Sequence, residues 1–343
     1  MGAAWTAGSW AAGAWAEGSW VEAGAYSLAC ASGSLTLSGT AVGLKAARKL
    51  ATASGNLSLA GSGVTLKVTR KLATASGSLA LSGTAVGLKA ARKLATASGN
   101  LSLAGSGVTL KVTRKLATAS GSLSLAGTAV ALKAVRKLAT ASGSLTLSGT
   151  AVTLTKTGSF SLATASGSLA LSGTAVGLKA TRKLATASGS VALSGTAVGL
   201  SRTWKLAVSS GALSLAGSDV GLTKVGSFDL ACASGALSLA GSAVSLRATR
   251  KLAAAAGAVT LSGTAIDLTA GRKLATAHGS LTLNGTAVAF RLGMTNTLEI
   301  ESGAFTLAGT AVTFKWIAPH HRIGKGKKVA TIAYGEKVRS IAA

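Results

Sequence analysis

The side chains best suited to act on a partner are cationic and periodic. Lys45, Arg48 and Lys49 recur as Lys67, Arg70 and Lys71, then as Lys89, Arg92 and Lys93, as Lys111, Arg114 and Lys115, and as Lys133, Arg136 and Lys137. The interval between successive triplets is constant. Such a comb of ammonium and guanidinium groups can contact phosphate, carboxylate or sulfate. No carboxylate accompanies it, because Asp and Glu are absent between Glu22 and Asp219. Over the chain 35 Lys and Arg stand against 8 Asp and Glu, a formal net charge of +27. An imbalance of that size bears on partners and solubility rather than on fold. The candidate partners are nucleic acid, an anionic glycan, an anionic envelope or an acidic neighbouring subunit.

Catalytic chemistry finds little material. The three histidines are His278, His320 and His321. His278 occupies a position where other repeats carry Ser, so it reads as a substitution within a ladder. His320 and His321 lack third and fourth ligands at metal-binding spacing, and no metal or other cofactor is expected. Paired carboxylates for acid–base work are missing from the acid-free stretch, and Asp219, Asp229 and Asp267 stand alone. The many glycines do not form a phosphate-binding loop, since no helical pattern follows them. The chain is therefore expected not to be an enzyme.

The elements that must position the cations are visible as an internal repeat. Gly33, Gly55, Gly77, Gly99, Gly121, Gly143, Gly167, Gly189, Gly211, Gly235, Gly257, Gly279 and Gly303 close thirteen variants of Leu-Ala-Thr-Ala-Ser-Gly. The ordinary step is that from Gly33 to Gly55, and three steps are longer by two: 143 to 167, 211 to 235 and 279 to 303. The segment Asn56 to Leu79 returns unchanged as Asn100 to Leu123. Within a unit, Leu57 and Leu59, and then Val64, Leu66 and Val68, alternate with small or polar residues. A period of two marks strands with one buried face. Ser54-Gly55 and Gly61-Ser62-Gly63 mark turns, since Gly accepts backbone angles that other residues resist. Each unit is read as about three short strands joined by tight corners. A 24-residue step preserves side-chain facing if one residue is added to each arm of a tight hairpin. The long steps also recur every third repeat, ending at Gly167, Gly235 and Gly303.

The fold class is all-β, an elongated tandem-repeat array of about thirteen 22–24-residue units. Two windings fit. In a β-solenoid each unit is one triangular coil, equivalent residues stack roughly 4.8 Å apart, and thirteen coils span about 60 Å. In a single-chain, three-sided β-prism, three repeats form one layer, and residues three repeats apart become axial neighbours. The solenoid turns the cations into like-charge ladders that repel by roughly 0.8 kcal/mol per pair at water's dielectric constant. The prism spreads them over three faces. The solenoid is the first expectation and the prism the alternative.

Both ends depart from the repeat. Residues 1–25 carry Trp5, Trp10, Trp15 and Trp20 at a five-residue interval, a candidate attachment segment or cap. Residues 26–315 form the array. Residues 316–343 form a basic tail or cap with Trp316, Pro319, Arg322, Lys325, Lys327 and Lys328, where Ile332, Tyr334 and Val338 suggest a final strand or two. No signal peptide or membrane-spanning helix is expected, and the aromatic girdles of a membrane β-barrel are missing. Cys30 and Cys232 each replace the Thr of Leu-Ala-Thr-Ala-Ser-Gly and read as small buried residues.

The unit Ser32 to Leu44, Ser-Gly-Ser-Leu-Thr-Leu-Ser-Gly-Thr-Ala-Val-Gly-Leu, resembles a repeat of structural proteins of tailed phages of alphaproteobacteria. That repeat reads Ser-Gly-Ser-aromatic-X-Leu-Thr-Gly-Gln followed by small and apolar residues. The resemblance covers about residues 26 to 315. Here Leu mostly replaces the aromatic, although Phe305 keeps it, and Thr or Ser replaces Gln. The resemblance implies a virion component, a fibre or a surface or tail-associated protein, and carries over no catalytic residue. Its partners would be other virion structural proteins and an anionic glycan or envelope, within an oligomer or larger assembly. A cellular or secreted polyanion-binding adhesin is the alternative. A nucleic-acid-packaging protein fits less well, because the basic stripes lack base-stacking aromatics.

Overall fold

The computed structural model describes residues 20–23, 27–30, 32, 34–316, 322–323, 330–334 and 337–341. Within 34–316 it leaves aside 47–48, 69, 91, 113, 135–136, 156–160, 180–182, 202–204, 224–228, 249–250, 271–272, 293–296 and 301. The described residues are all-β, without a helix. They divide into two compact units, Met1–Phe160 with Ala165–Thr174, and Ser161–Thr164 with Ala175–Ala343.

In the first unit, the coil that begins at Lys49 shows the pattern. Its strands are Lys49–Thr52, Asn56–Ala60 and Gly63–Val68. Each alternates buried and outward residues, as the period of two requires. Leu50, Thr52, Leu57, Leu59, Val64, Leu66 and Val68 point inward and are at most 2% exposed. Full burial of each aliphatic side chain contributes about 1.5–3 kcal/mol. The next coil repeats the arrangement in register, with Leu50 beside Leu72, Leu57 beside Leu79, and Val64 beside Val86 by way of parallel strands. The same parallel register runs through the second unit, from Val176 beside Val198 to Leu283 beside Leu307. Each unit is a β-solenoid.

The register decides against the prism. Residues one repeat apart are hydrogen-bonded neighbours, whereas the prism would put them on different faces. The 24-residue steps keep the register as well, since Ser144 pairs with Ser168, Ala212 with Ala236 and Ser280 with Ala304. The hairpin expected at those steps falls on 156–160, 224–228 and 293–296, outside the described residues. Asp219–Thr223 and Asp229–Cys232, which flank one of them, pair parallel with the preceding coil rather than with each other. The register places the two extra residues between Thr223 and Asp229, so facing on either side is unaffected.

The corner glycines work differently from the turn reading. A Cβ on Gly83 would lie 1.9 Å from the carbonyl oxygen of Gly61, and one on Gly77 would lie 2.0 Å from that of Gly55. Gly105, Gly127, Gly149 and Gly173 repeat the first contact down one corner. None of these glycines has φ in the left-handed region. What excludes a side chain is the coil stacked alongside. The corners stay hydrogen-bonded between coils, as where the Gly83 N–H donates to the Ala104 carbonyl at 3.0 Å. Gly63 and Gly107, at the start of the third strand, have no atom within 4 Å of a Cβ, and other coils carry Ala there, such as Ala85.

Inside the coils runs a column of buried threonines. Thr52, Thr74, Thr96, Thr118 and Thr140 in the first unit, and Thr164, Thr186 and Thr276 in the second, are at most 1% exposed. None of their Oγ1 atoms has a hydrogen-bond partner. The second unit places apolar residues in the same column: Val208 pairs with Thr186 on one side and Cys232 on the other, and Ala254 follows. Cys232 is buried and its thiol is pushed up to about 12 by desolvation, so it stays protonated and inert at neutral pH. The inward reading holds for Cys232, while the side chain of Cys30 lies outside the described residues. Near the far end of the second unit, bulkier groups fill the interior. Phe290 and Phe305 meet at 5.3 Å between ring centroids, inclined by 55°.

Both ends add strands beyond the repeats. Trp20–Ala23 pairs parallel with Gly43–Ala46 of the first unit. In the second, Ala330–Tyr334 continues the parallel stack on Phe305–Gly309 and then pairs antiparallel with Lys337–Ile341. Lys337–Ile341 is thus the last strand of that column among the described residues.

Three substitutions test this packing. Gly83→Ala should lower stability by at least about 2 kcal/mol through the clash with the neighbouring carbonyl, whereas Gly107→Ala should be neutral or stabilising by a few tenths. Equal denaturation midpoints for the two would refute the close-approach account. Thr96→Val should raise stability by about 1 kcal/mol, because it removes a buried hydroxyl without a partner. A lowered urea midpoint would show that the hydroxyl is satisfied.

Candidate cationic ridge

The alternation that buries Leu50 and Thr52 turns Lys49 outward, and the one that buries Leu66 and Val68 turns Lys67 outward. In-register stacking then multiplies each position into a column. Lys49, Lys71, Lys93, Lys115 and Lys137 are successive partners on the first strand of five coils, and all are exposed. Lys45, Lys67, Lys89, Lys111 and Lys133 are successive partners on the third strand. Lys45 is half-buried and the other four are exposed.

The two columns flank one corner, and that corner carries the arginines. Arg70, Arg92 and Arg114 are exposed there. Their carbonyls accept hydrogen bonds from the N–H groups of Lys93, Lys115 and Lys137 at 2.9–3.0 Å. The main chain of the ridge is thereby fixed from coil to coil. Arg48 and Arg136, which the sequence pattern adds to the series, lie outside the described residues, as do Trp5, Trp10 and Trp15. Trp20 lies in the strand Trp20–Ala23, and its side chain is not among those described.

Three cations per coil at a coil spacing of about 4.8 Å give one positive charge per ~1.6 Å of ridge. Duplex DNA carries one negative charge per about 1.7 Å. Within the first unit the ridge is thus as dense a line of charge as a nucleic acid, with the opposite sign. The like-charge cost that favoured the prism is tolerable because the groups lie in water, where each neighbouring pair repels by only ~0.8 kcal/mol and salt screens it.

The second unit does not continue the comb in this form. On its first strands Lys183, Lys205, Asp229, Lys251 and Lys273 are successive partners, so a carboxylate-bearing residue stands among the lysines. On its third strands Lys179 is followed by Ser201 and Thr223.

The structure also brings together two residues that the sequence reading left apart. His278 takes the backbone place of a ladder Ser, its N–H donating to Ala255 at 2.7 Å. One coil on, the Ser302 hydroxyl meets His278 Nδ1 and lies 3.3 Å from the Ala277 carbonyl. Both side chains are exposed. The longer step hides this neighbour, because the ordinary interval counted from His278 lands on Ile300, short of Ser302. Among the described residues no three of His, Cys, Asp and Glu gather into a metal-binding group. Among the same residues no helix is long and apolar enough to cross a membrane.

No protein-family model, curated protein or solved structure matches the chain.

If the columns repel as described, the thermal unfolding midpoint should rise as added NaCl shortens the Debye length from about 30 Å to about 10 Å. Relief of the repulsion is worth roughly 2–4 °C per kcal/mol in a unit of this size. The triple variant K71Q/K93Q/K115Q should show a flatter dependence. A midpoint that is constant or falls with salt would show that the ridge carries no such strain.

Proposed function

We propose that this chain is a structural, non-catalytic solenoid that fastens to an anionic surface or acidic subunit through the corner ridge of its first unit. The observation that supports this reading is the in-register stacking of three cationic positions per coil, over coils whose sequence contains no Asp or Glu. A rigid β-scaffold that displays one charge pattern repeatedly gains attachment strength by multivalency, since each added contact is intramolecular once the first has formed. The outward neighbours of the cations are small, such as Ala51, Ala73 and Ala95, which leaves the charged groups prominent.

The resemblance of Ser32 to Leu44 to repeats of phage structural proteins supports a virion setting for this activity, as a fibre or a surface or tail-associated appendage. There the Trp-rich residues 1–25 would anchor the chain to other virion proteins.

Co-sedimentation with phosphatidylglycerol vesicles tests the ridge. The chain should pellet with them at low salt, be released as salt rises, and ignore phosphatidylcholine vesicles. The variant K71Q/K93Q/K115Q should bind at least tenfold more weakly while keeping its circular-dichroism spectrum. Salt-insensitive binding, or equal binding to neutral vesicles, would overturn the reading. Antibody to the chain should decorate intact phage particles in negative stain, and undecorated particles would overturn the virion setting.

A further inference from the structure

We infer that the ligand of the ridge is an extended, unbranched acidic polysaccharide lying parallel to the coil axis, meeting one triplet of cations with each sugar. The inference rests on the proposed role of the ridge and names the chemistry that the ridge would recognise.

The first ground is dimensionality. The lysine pairs of five coils lie in register along a single corner, with Arg70, Arg92 and Arg114 between them, so the cations form a line about 19 Å long between the first and fifth coils. A straight polyanion can meet such a line at every coil. The phosphates of a duplex wind away from it within a fraction of a turn, so a duplex would touch it only in patches. A bilayer offers a plane of charge, of which the line uses a narrow strip.

The second ground is period. Chains of 1→4-linked uronic acids carry one carboxylate per sugar and advance per sugar by a length close to the strand spacing of a sheet, about 4.8 Å. Each sugar then falls opposite a Lys of the first strand, an Arg of the corner and a Lys of the third strand, as with Lys93, Arg92 and Lys89. The arginine fork can take a carboxylate through two N–H groups, while the lysines act as point charges.

The third ground is what flanks the cations. Single-stranded nucleic acid is held on aromatic platforms that stack its bases. The outward positions beside these cations are small, Ala73 and Ala95 on the first strand and Thr65, Gly87 and Thr109 on the third. They offer no ring to a base, and they leave room for the hydroxyl-bearing edge of a sugar.

Size-defined oligogalacturonates test the proposal by titration calorimetry at low salt with the full chain. Affinity should rise with each added sugar up to about five, by roughly two- to fivefold per step, the size of an exposed ion pair. Beyond that length it should level off. In K71Q/K93Q/K115Q the length dependence should shorten, with circular dichroism and the thermal midpoint confirming the fold. A Kd independent of oligomer length would overturn the proposal, as would tighter binding of oligothymidylate or of a duplex with the same number of charges. Failure with oligogalacturonates alongside salt-sensitive binding to phosphatidylglycerol vesicles would reject the polysaccharide and leave the proposed function standing. Failure with both would reject the two together.

Discussion

Main-chain hydrogen bonding between successive coils is the constraint on which the rest depends. Parallel pairing in register holds each residue beside its counterpart one repeat away, at the spacing of strands in a sheet. Any residue type placed in one coil is therefore laid against its own kind in the next. The chain has no freedom to stagger a difficult side chain away from its copies, because a shift of one residue would turn the whole apolar face outward.

Each unusual feature of the interior and the surface follows from that rule. At the corners it leaves no space beside a neighbouring carbonyl, and glycine fills the column. In the interior it stacks threonine hydroxyls out of reach of water, a cost the chain avoids in the second unit by using Val208, Cys232 and Ala254. On the outside it aligns cations that repel. Where Asn56 and Asn100 enter a column of serines, the same alignment is put to use: the Oδ1 of each accepts a hydrogen bond of 2.7 Å from the serine hydroxyl of the next coil, Ser78 or Ser122.

The strands and their inward faces were legible in the sequence, because alternation at Leu57, Leu59, Val64, Leu66 and Val68 is a local property of the chain. The solenoid was the first expectation and it holds, but the sequence left the prism open: the repeat period fits a coil or one face of a prism equally well, and the like-charge cost, tolerable once splaying and screening are counted, weighed toward the prism without deciding. The cationic positions were readable one by one, but their convergence with the arginines on a single corner depends on strand order, which periodicity leaves open. The role of the corner glycines was misjudged for a related reason: a single repeat shows a turn, and the carbonyl that forbids a side chain belongs to the coil beside it. His278 and Ser302 meet because the register is kept across a step that is longer by two residues.

In-register copies also give the ridge a countable valency. Asn56 to Leu79 and Asn100 to Leu123 are identical, and each contains a complete set of inward and outward positions. The two copies begin two repeats apart, so an exchange between them inserts or deletes two whole rungs and keeps the register of their neighbours. Attachment strength can then change in discrete steps through unequal recombination, with no need to alter the chemistry of any one contact.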